Sequence, residues 1–418
     1  MQNYKSPRDI TSLSLKYLWI LSIISVFVLN SVYLTAQDKS CHSLRLAEQS
    51  EILTGAQQIE KYLPLLSGKS IGVVCNQSSL IGKVHLIDTL LSSGIIIKAV
   101  FAPEHGFLGN AAAGTTINDT TDLRTKLKVI SLYGNKKKPE PGDLQEIEIM
   151  LFDIQDVGTR FYTYISTLAL VMEACAEQGI PLIILDRPNP NAFYIDGPVL
   201  DTAYRSFVGL HPVPILYGMT IGEYALLVNG EGWLRDSVRC DLTVVTLQKW
   251  DRNMIINLAV RPSPNLQTWQ AIYLYPSLCL FEGTVMSVGR GTDLPFQVIG
   301  HPEYLTGSYA FIPQKIPGVA EKPPYEGQQC FGQNLTSYAD NFLENHNSLN
   351  LAFLINSWKE LNLEEDFFNS YFDKLAGGPH LREQILAGES EEMIRNSWKA
   401  GLDLFREIRK KYLLYPDN

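Results

Sequence analysis

The sequence has no C-x-x-C, no H-E-x-x-H and no histidine-rich pair among its seven histidines, so it offers no recognisable zinc site. Neither G-x-G-x-x-G nor a complete P-loop is present, which removes the usual signatures of a phosphate cradle. No G-x-S-x-G elbow accompanies the histidines, which weakens a serine-esterase reading. Positive charge is in deficit. Lys and Arg number 35 against 44 Asp and Glu, a formal net charge of −9, and an acidic chain is a poor partner for nucleic acid or anionic lipid. Repeats and low-complexity tracts are absent, and "KKKPEPGD" at 136–143 reads most simply as a solvated loop. Cysteines number only six. Cys75 and Cys279 lie in apolar runs and Cys175 lies on the apolar face of an expected helix, so buried thiols are expected rather than a disulfide framework.

What is present is an ordinary globular composition, 45% apolar and 19% charged, in 418 residues, enough for two domains. The N-terminus carries Lys5, Arg8 and Lys16, then the apolar run "YLWILSIISVFVLNSVYLTAQ", closing on small residues before "DKS". This pattern predicts a signal peptide over 1–36 and an exported, periplasmic protein, with an uncleaved membrane anchor as the alternative. Residues 1–36 hold three cations and one acid, so their removal takes the formal charge from −9 to −11. A Rossmann-like domain is expected over 45–255 and a smaller α+β domain over 256–418.

From Ser70 onward, apolar runs alternate with amphipathic segments: "SIGVVCN", "IIIKAVFAP", "IEIMLFDI", "IPLIILD" and "CDLTVVTL". Between the third and fourth, Ile165, Leu168, Ala169, Met172, Cys175 and Ala176 recur at helical spacing up to a stopping Gly179. Continuous apolar strands joined by helices imply an α/β fold with a parallel sheet covered on both faces. Ligands in such sheets sit beyond the carboxyl ends of the strands, and four exits are polar: Asn76, then Glu104 and His105, then Asp153 to Asp156, then Asp186, Arg187 and Asn189.

Each candidate has a plainer alternative. "APEHGF" holds Glu104 and His105 between Pro103 and Gly106, which suits a structural turn or a carboxyl group fixed over a cleft for general acid work, with His105 orienting it. Asp156 and Arg160 suit a structural pair as well as ligand contact; Tyr162 and Tyr164 suit a core as well as sugar stacking. Asp186, Arg187 and Asn189 brace or line a proline-stiffened loop. Asn265 is presented on the rigid "RPSPN", Glu282 follows the strand-like run "YPSLCLF", and Arg290 stands between two glycines.

Taken in order, "APEHGF", "ISLYG", "FDIQDVGTRFYTYIS", "VMEACAEQG", "LDRPNPN", "DGPVLD", "SFVGLHPVPILYGMTIGE", "RPSPN" and "YPSLCLFEGTVMSVGRGTDLPFQVIG" resemble the exo-acting β-N-acetylmuramidases of glycoside hydrolase family 171, from about residue 50 to the C-terminus. The resemblance implies a Rossmann-like domain, a smaller C-terminal domain, and a cleft between them that removes terminal N-acetylmuramic acid (MurNAc) from peptidoglycan fragments without a cofactor. Two stretches depart from the family pattern. Leu108, Asn110 and Ala112 stand where basic and acidic residues are common, and Ala169 where a His is common. A sugar-binding protein that has lost turnover is therefore the rival expectation. Glycoside hydrolysis needs a proton donor and a second group. Glu104 is assigned to the first role, with Glu282, Asp156 or the substrate's acetamido group in the second. MurNAc carries a lactyl carboxylate, so a cationic clamp is expected from Arg290 or Arg160 ahead of Arg187.

Overall fold

The computed structural model describes residues 45–48, 52–115, 118–345 and 348–417. The expected signal peptide and Cys41 lie outside the described residues. The main sheet contains β1 (Ser70–Cys75), β2 (Ile96–Ala102), β3 (Thr120–Thr121), β4 (Lys128–Ser131), β5 (Ile149–Asp153), β6 (Leu182–Leu185) and β7 (Leu242–Val245). Their order is β7-β6-β5-β1-β2-β4-β3, parallel throughout except for the short β3 against β4. The five runs read as strands are all strands of this sheet; β3 and β4, too short and mixed to stand out, extend it.

Alternation along the strands divides the core. Val74, Met150, Phe152, Leu182 and Ile184 face one side, and Ile71, Val73, Cys75, Leu151, Ile183 and Leu185 the other. The second side is covered by α1 (Ile59–Leu66) and α2 (Leu86–Ser92) through Tyr62, Leu66, Leu86, Ile87 and Leu90. The first is covered by α3 (Tyr164–Gln178) and α4 (Ile221–Gly230). Helix α3 stops where expected: Gly179 takes φ 65°, a left-handed cap that costs a glycine little.

The C-terminal part holds α5 (Trp269–Leu278), an antiparallel sheet of β8 (Val298–His301), β9 (Tyr309–Phe311) and β10 (Cys330–Asn334), and then α6 (Thr336–Asn345), α7 (Ala352–Leu361), α8 (Phe372–Ala376), α9 (His380–Leu386) and α10 (Glu391–Arg409). Leu278, Phe281, Leu354, Phe372, Ile394 and Phe405 join the same continuous core as the α3 side of the main sheet. The smaller C-terminal domain is thus welded to the first by shared apolar packing. One local expectation is corrected: the run before Glu282 is helix α5 followed by a 3-10 turn at Cys279–Gly283, not a strand. Every residue from Ala271 to Leu278 is buried, so no polar face reveals the helical period. The five described cysteines are free and buried.

Candidate active site

Strand β2 delivers the first carboxylate. Pro103 ends the strand, and the chain reverses through His105 at φ 70° and Gly106 at φ 76°. A non-glycine in this region is strained by about 1–2 kcal/mol. The loop is held by Gly106 N–H on Pro103 O at 3.0 Å and by His105 Nδ1 on Ala111 O at 2.8 Å. Since a carbonyl only accepts, Nδ1 carries the proton; burial lowers the His105 pKa, against the raising pull of Glu104, and leaves Nε2 an acceptor. Glu104 Oε2 accepts from Thr163 Oγ1 at 2.8 Å and Oε1 from Gly114 N–H at 3.2 Å. Thr163 is the N-cap of α3, yet its hydroxyl makes no cap bond and goes to Glu104 instead. The Tyr133 phenol, raised by burial and then by neighbouring Glu104, stays a protonated partner for the same carboxylate.

The C-terminal part supplies the second carboxylate. Glu282 Oε1 accepts from Arg290 Nε at 2.6 Å and Oε2 from Cys279 Sγ at 3.7 Å. Burial, then Glu282, push the Cys279 thiol up, so it remains a donor. Gly289 and Gly291 take φ 76° and 81°, and Phe296, a bulky residue, takes φ 56°; its ring centre lies 5.0 Å from the Arg290 guanidinium carbon. This strained loop sets Arg290 between a carboxylate and an aromatic face.

Glu104, His105, Tyr162, Asn265, Glu282 and Arg290 line one cavity of about 730 Å³. Its walls add Tyr133, Phe161, Thr163, Phe207, Tyr275 and Tyr371. Asn265 gives its Nδ2–H to Val319 O at 3.0 Å, while its Oδ1 is buried without a partner among the described residues.

The other candidates turn inward, and none is on the cavity wall. Asn76 Nδ2 donates to Tyr164 OH at 3.0 Å, and Tyr164 OH donates to Pro262 O at 3.2 Å, so the two support the floor from below. The Asp156–Arg160 structural pair, one of the two readings the sequence left open, does not form. Asp156 Oδ2 accepts from Tyr217 OH at 2.5 Å and Gly158 N–H at 2.7 Å, whereas Arg160 donates to Pro198 O, Val213 O and Leu375 O at 2.7–2.9 Å. Arg160, fully buried, therefore cannot clamp a cavity ligand; it ties β5's exit to Leu375 on the cavity wall. Arg187 is engaged by buried Asp153 through Nε at 2.5 Å and Nη2 at 2.9 Å. Asp186 accepts from Thr220, Gly222 and Tyr415, and Asn189 bonds Met219 O and Asn191 N–H. Thr163, Tyr133, Phe207 and Tyr371 were not singled out from sequence; Tyr133 and Phe207 lie inside the phrases "ISLYG" and "SFVGLHPVP", which carried the resemblance.

Two family profiles cover the chain: "Exo-beta-N-acetylmuramidase NamZ, N-terminal" over residues 71–270 and its C-terminal counterpart over 273–415. The peptidoglycan β-N-acetylmuramidase NamZ of Bacillus subtilis strain 168 is 40% identical over 390 residues, 88% of this chain and 92% of that protein. A crystal structure of a DUF1343 family protein from Bacteroides fragilis is 43% identical and superposes with a TM-score of 0.80, covering 88% of this chain and 99% of that one. A second from the same organism is 28% identical with a TM-score of 0.73 over the same shares. With both profiles matched in order along one chain and 40% identity over 92% of the Bacillus subtilis protein, the chain belongs to the NamZ exo-β-N-acetylmuramidase family.

Proposed function

We propose that this protein is an exo-acting glycoside hydrolase that releases a terminal β-linked MurNAc unit from peptidoglycan fragments, outside the cytoplasm. The observation that carries the reading is the pair of carboxylates brought to one cavity with partners of different kinds. Glu104 is held by the Thr163 hydroxyl at one oxygen and the Gly114 N–H at the other, with the Tyr133 phenol beside it, and a hydroxyl both donates and accepts. Such a hydroxyl reverses its hydrogen bond when Oε2 gains or loses a proton, so Glu104 can carry the proton to the leaving oxygen from that atom and give it up while the Gly114 bond to Oε1 stays in place. Glu282 Oε1 is held by a guanidinium, which only donates, and so is fixed as an acceptor. It is the group placed to stabilise developing positive charge at the sugar ring, to attack, or to orient the substrate's acetamido group. Tyr162, Tyr275 and Phe161 give aromatic surface for the sugar ring.

The export reading rests on the basic start and apolar run before Ala36. The test is incubation with a MurNAc–GlcNAc disaccharide, with free MurNAc as the expected product. Tight binding with no release would favour the non-catalytic sugar-binding reading, and neither binding nor release would overturn both.

A further inference from the structure

The three consecutive lysines 136–138 lie between β4 and β5, and the outer two are pinned. Lys136 Nζ meets Asp119 and Asp143, each at 3.2 Å. Lys138 Nζ meets Glu173 at 3.2 Å and Glu177 at 2.6 Å. Four carboxylates thus hold the loop on either side of its middle residue. Lys137 has no carboxylate partner among the described residues. Its Nζ stands 4.8 Å from the centre of the Phe207 ring, and both side chains line the active-site cavity. The Phe207 ring is 5.9 Å from that of Tyr133, the residue beside Glu104.

Two other lysines, Lys322 and Lys374, also line the cavity, but Lys137 is the one whose ammonium is set over an aromatic ring among the described cation–ring contacts. Glu282 is held by Arg290, and Glu321 by Lys315 at 2.9 Å. Arg160 and Arg187 are buried away from the cavity, so neither takes the expected clamp role, while Arg290 lines the cavity with its Nε held by Glu282. In a chain of formal charge −9, an ammonium held over an aromatic face on the cavity wall is a local exception to the overall field.

We propose that Lys137 is a specificity-determining residue that recognises a carboxylate on the lactyl arm of the terminal sugar, the feature that separates MurNAc from GlcNAc. The proposal rests on the muramidase reading of the same cavity. The carboxylate is that of the lactyl group itself or, when a stem peptide amidates the arm, one carried by the peptide. An ammonium on a four-carbon stem suits either source, since it imposes no planar bidentate geometry.

The test compares kcat and KM for sugar release from three β-linked substrates: MurNAc, its lactyl methyl amide, and MurNAc bearing an L-Ala–D-Glu dipeptide. The proteins are wild type, Lys137→Met and Lys137→Arg. Lys137→Met is expected to raise KM roughly two- to fivefold on a carboxylate-bearing substrate, as for a partly exposed ion pair. It should change kcat little, Lys137→Arg should restore most of the loss, and added salt should compress the difference. A loss on free MurNAc alone assigns the lactyl carboxylate, and a loss on the dipeptide substrate alone assigns the stem. An equal KM change on the methyl amide, or none on either acid, would overturn the proposal. Should wild type release no sugar from any substrate, the muramidase reading itself fails. Calorimetric Kd values for MurNAc, its methyl amide and the dipeptide-bearing sugar then decide the role of Lys137: a loss confined to an acid supports it, and no such loss on either acid overturns it.

Discussion

Replacing Glu104 by Gln separates the chemistry of the site from its architecture. The amide keeps the size of the side chain, and its remaining oxygen still accepts from Thr163 Oγ1, which lies 2.8 Å from the wild-type carboxylate. Its nitrogen faces the Gly114 N–H that bonds Oε1 at 3.2 Å, so one long hydrogen bond is lost. That loss costs about 1 kcal/mol of stability, small beside the roughly 5–15 kcal/mol of a typical fold. The chemical loss is much larger. General acid catalysis supplies about 10²–10⁴-fold, or about 3–5 kcal/mol of barrier. Glu104→Gln should therefore unfold close to the wild-type denaturant midpoint yet lose nearly all MurNAc release from MurNAc–GlcNAc, measured by chromatography of the free sugar. A folded variant with near-wild-type turnover would remove Glu104 from proton transfer.

Three further predictions concern residues that the fold has drawn inward. Burial pushes the Asp156 carboxyl up to about 6, and its Oδ1 has no partner among the described residues, so Asp156→Asn keeps the Tyr217 and Gly158 bonds while removing a buried charge. The folded pKa lies above the unfolded one, so wild-type stability from this group is complete below about pH 4 and lost as pH rises through 6. The stability of the Asn variant relative to wild type should thus climb by up to about 3 kcal/mol from pH 4 to 6 and then level off, and a flat difference in urea midpoints would contradict it. Arg187→Met leaves Asp153 buried without its cation and should cost about 3–5 kcal/mol; the double variant with Asp153→Asn should recover much of that in denaturant melts, and no recovery would refute the pairing as the cause. Gly158→Ala places a Cβ at φ 79° against the Asn189 amide and should cost about 2 kcal/mol or more; an unchanged midpoint would show that the loop yields.

The sheet was legible because its central strands are buried on both faces, which leaves near-continuous apolar runs such as "IMLFD" with an abrupt polar exit. Glu104 and Arg290 were legible because Pro103 with Gly106, and Gly289 with Gly291, mark rigid or left-handed turns next to a charge. Helix α5 was misread for the opposite reason: burial on all sides erased its period. The direction of the exit residues was hidden for a different reason. Asp153 and Arg187 meet across 34 positions of sequence, and an arginine at a strand exit looks the same whether it faces a ligand or a buried carboxylate. Lys137 was masked by its neighbours, because a run of three lysines reads as a solvated face until the partners of the outer two are known.

The inward turn of those residues also explains where the site lies. The strand order reverses between β1 and β5, the point at which doubly wound sheets commonly open a ligand crevice. Here Ser79 Oγ bonds Asp153 O, Ser78 Oγ accepts from Gln155 N–H at 3.0 Å, and the Arg187–Asp153 pair stands beside them. Only about 210 Å³ remains around Ser78, Gln155 and Arg187. With that crevice plugged by hydrogen-bonded side chains, the larger cavity opens instead over the β2 and β4 exits, at Glu104 and Tyr133, where the C-terminal part brings Glu282 and Arg290 to the same space. The sheet topology is that of a nucleotide binder, but its usual pocket is filled from within, and the larger cavity lies at the wall that the C-terminal part completes.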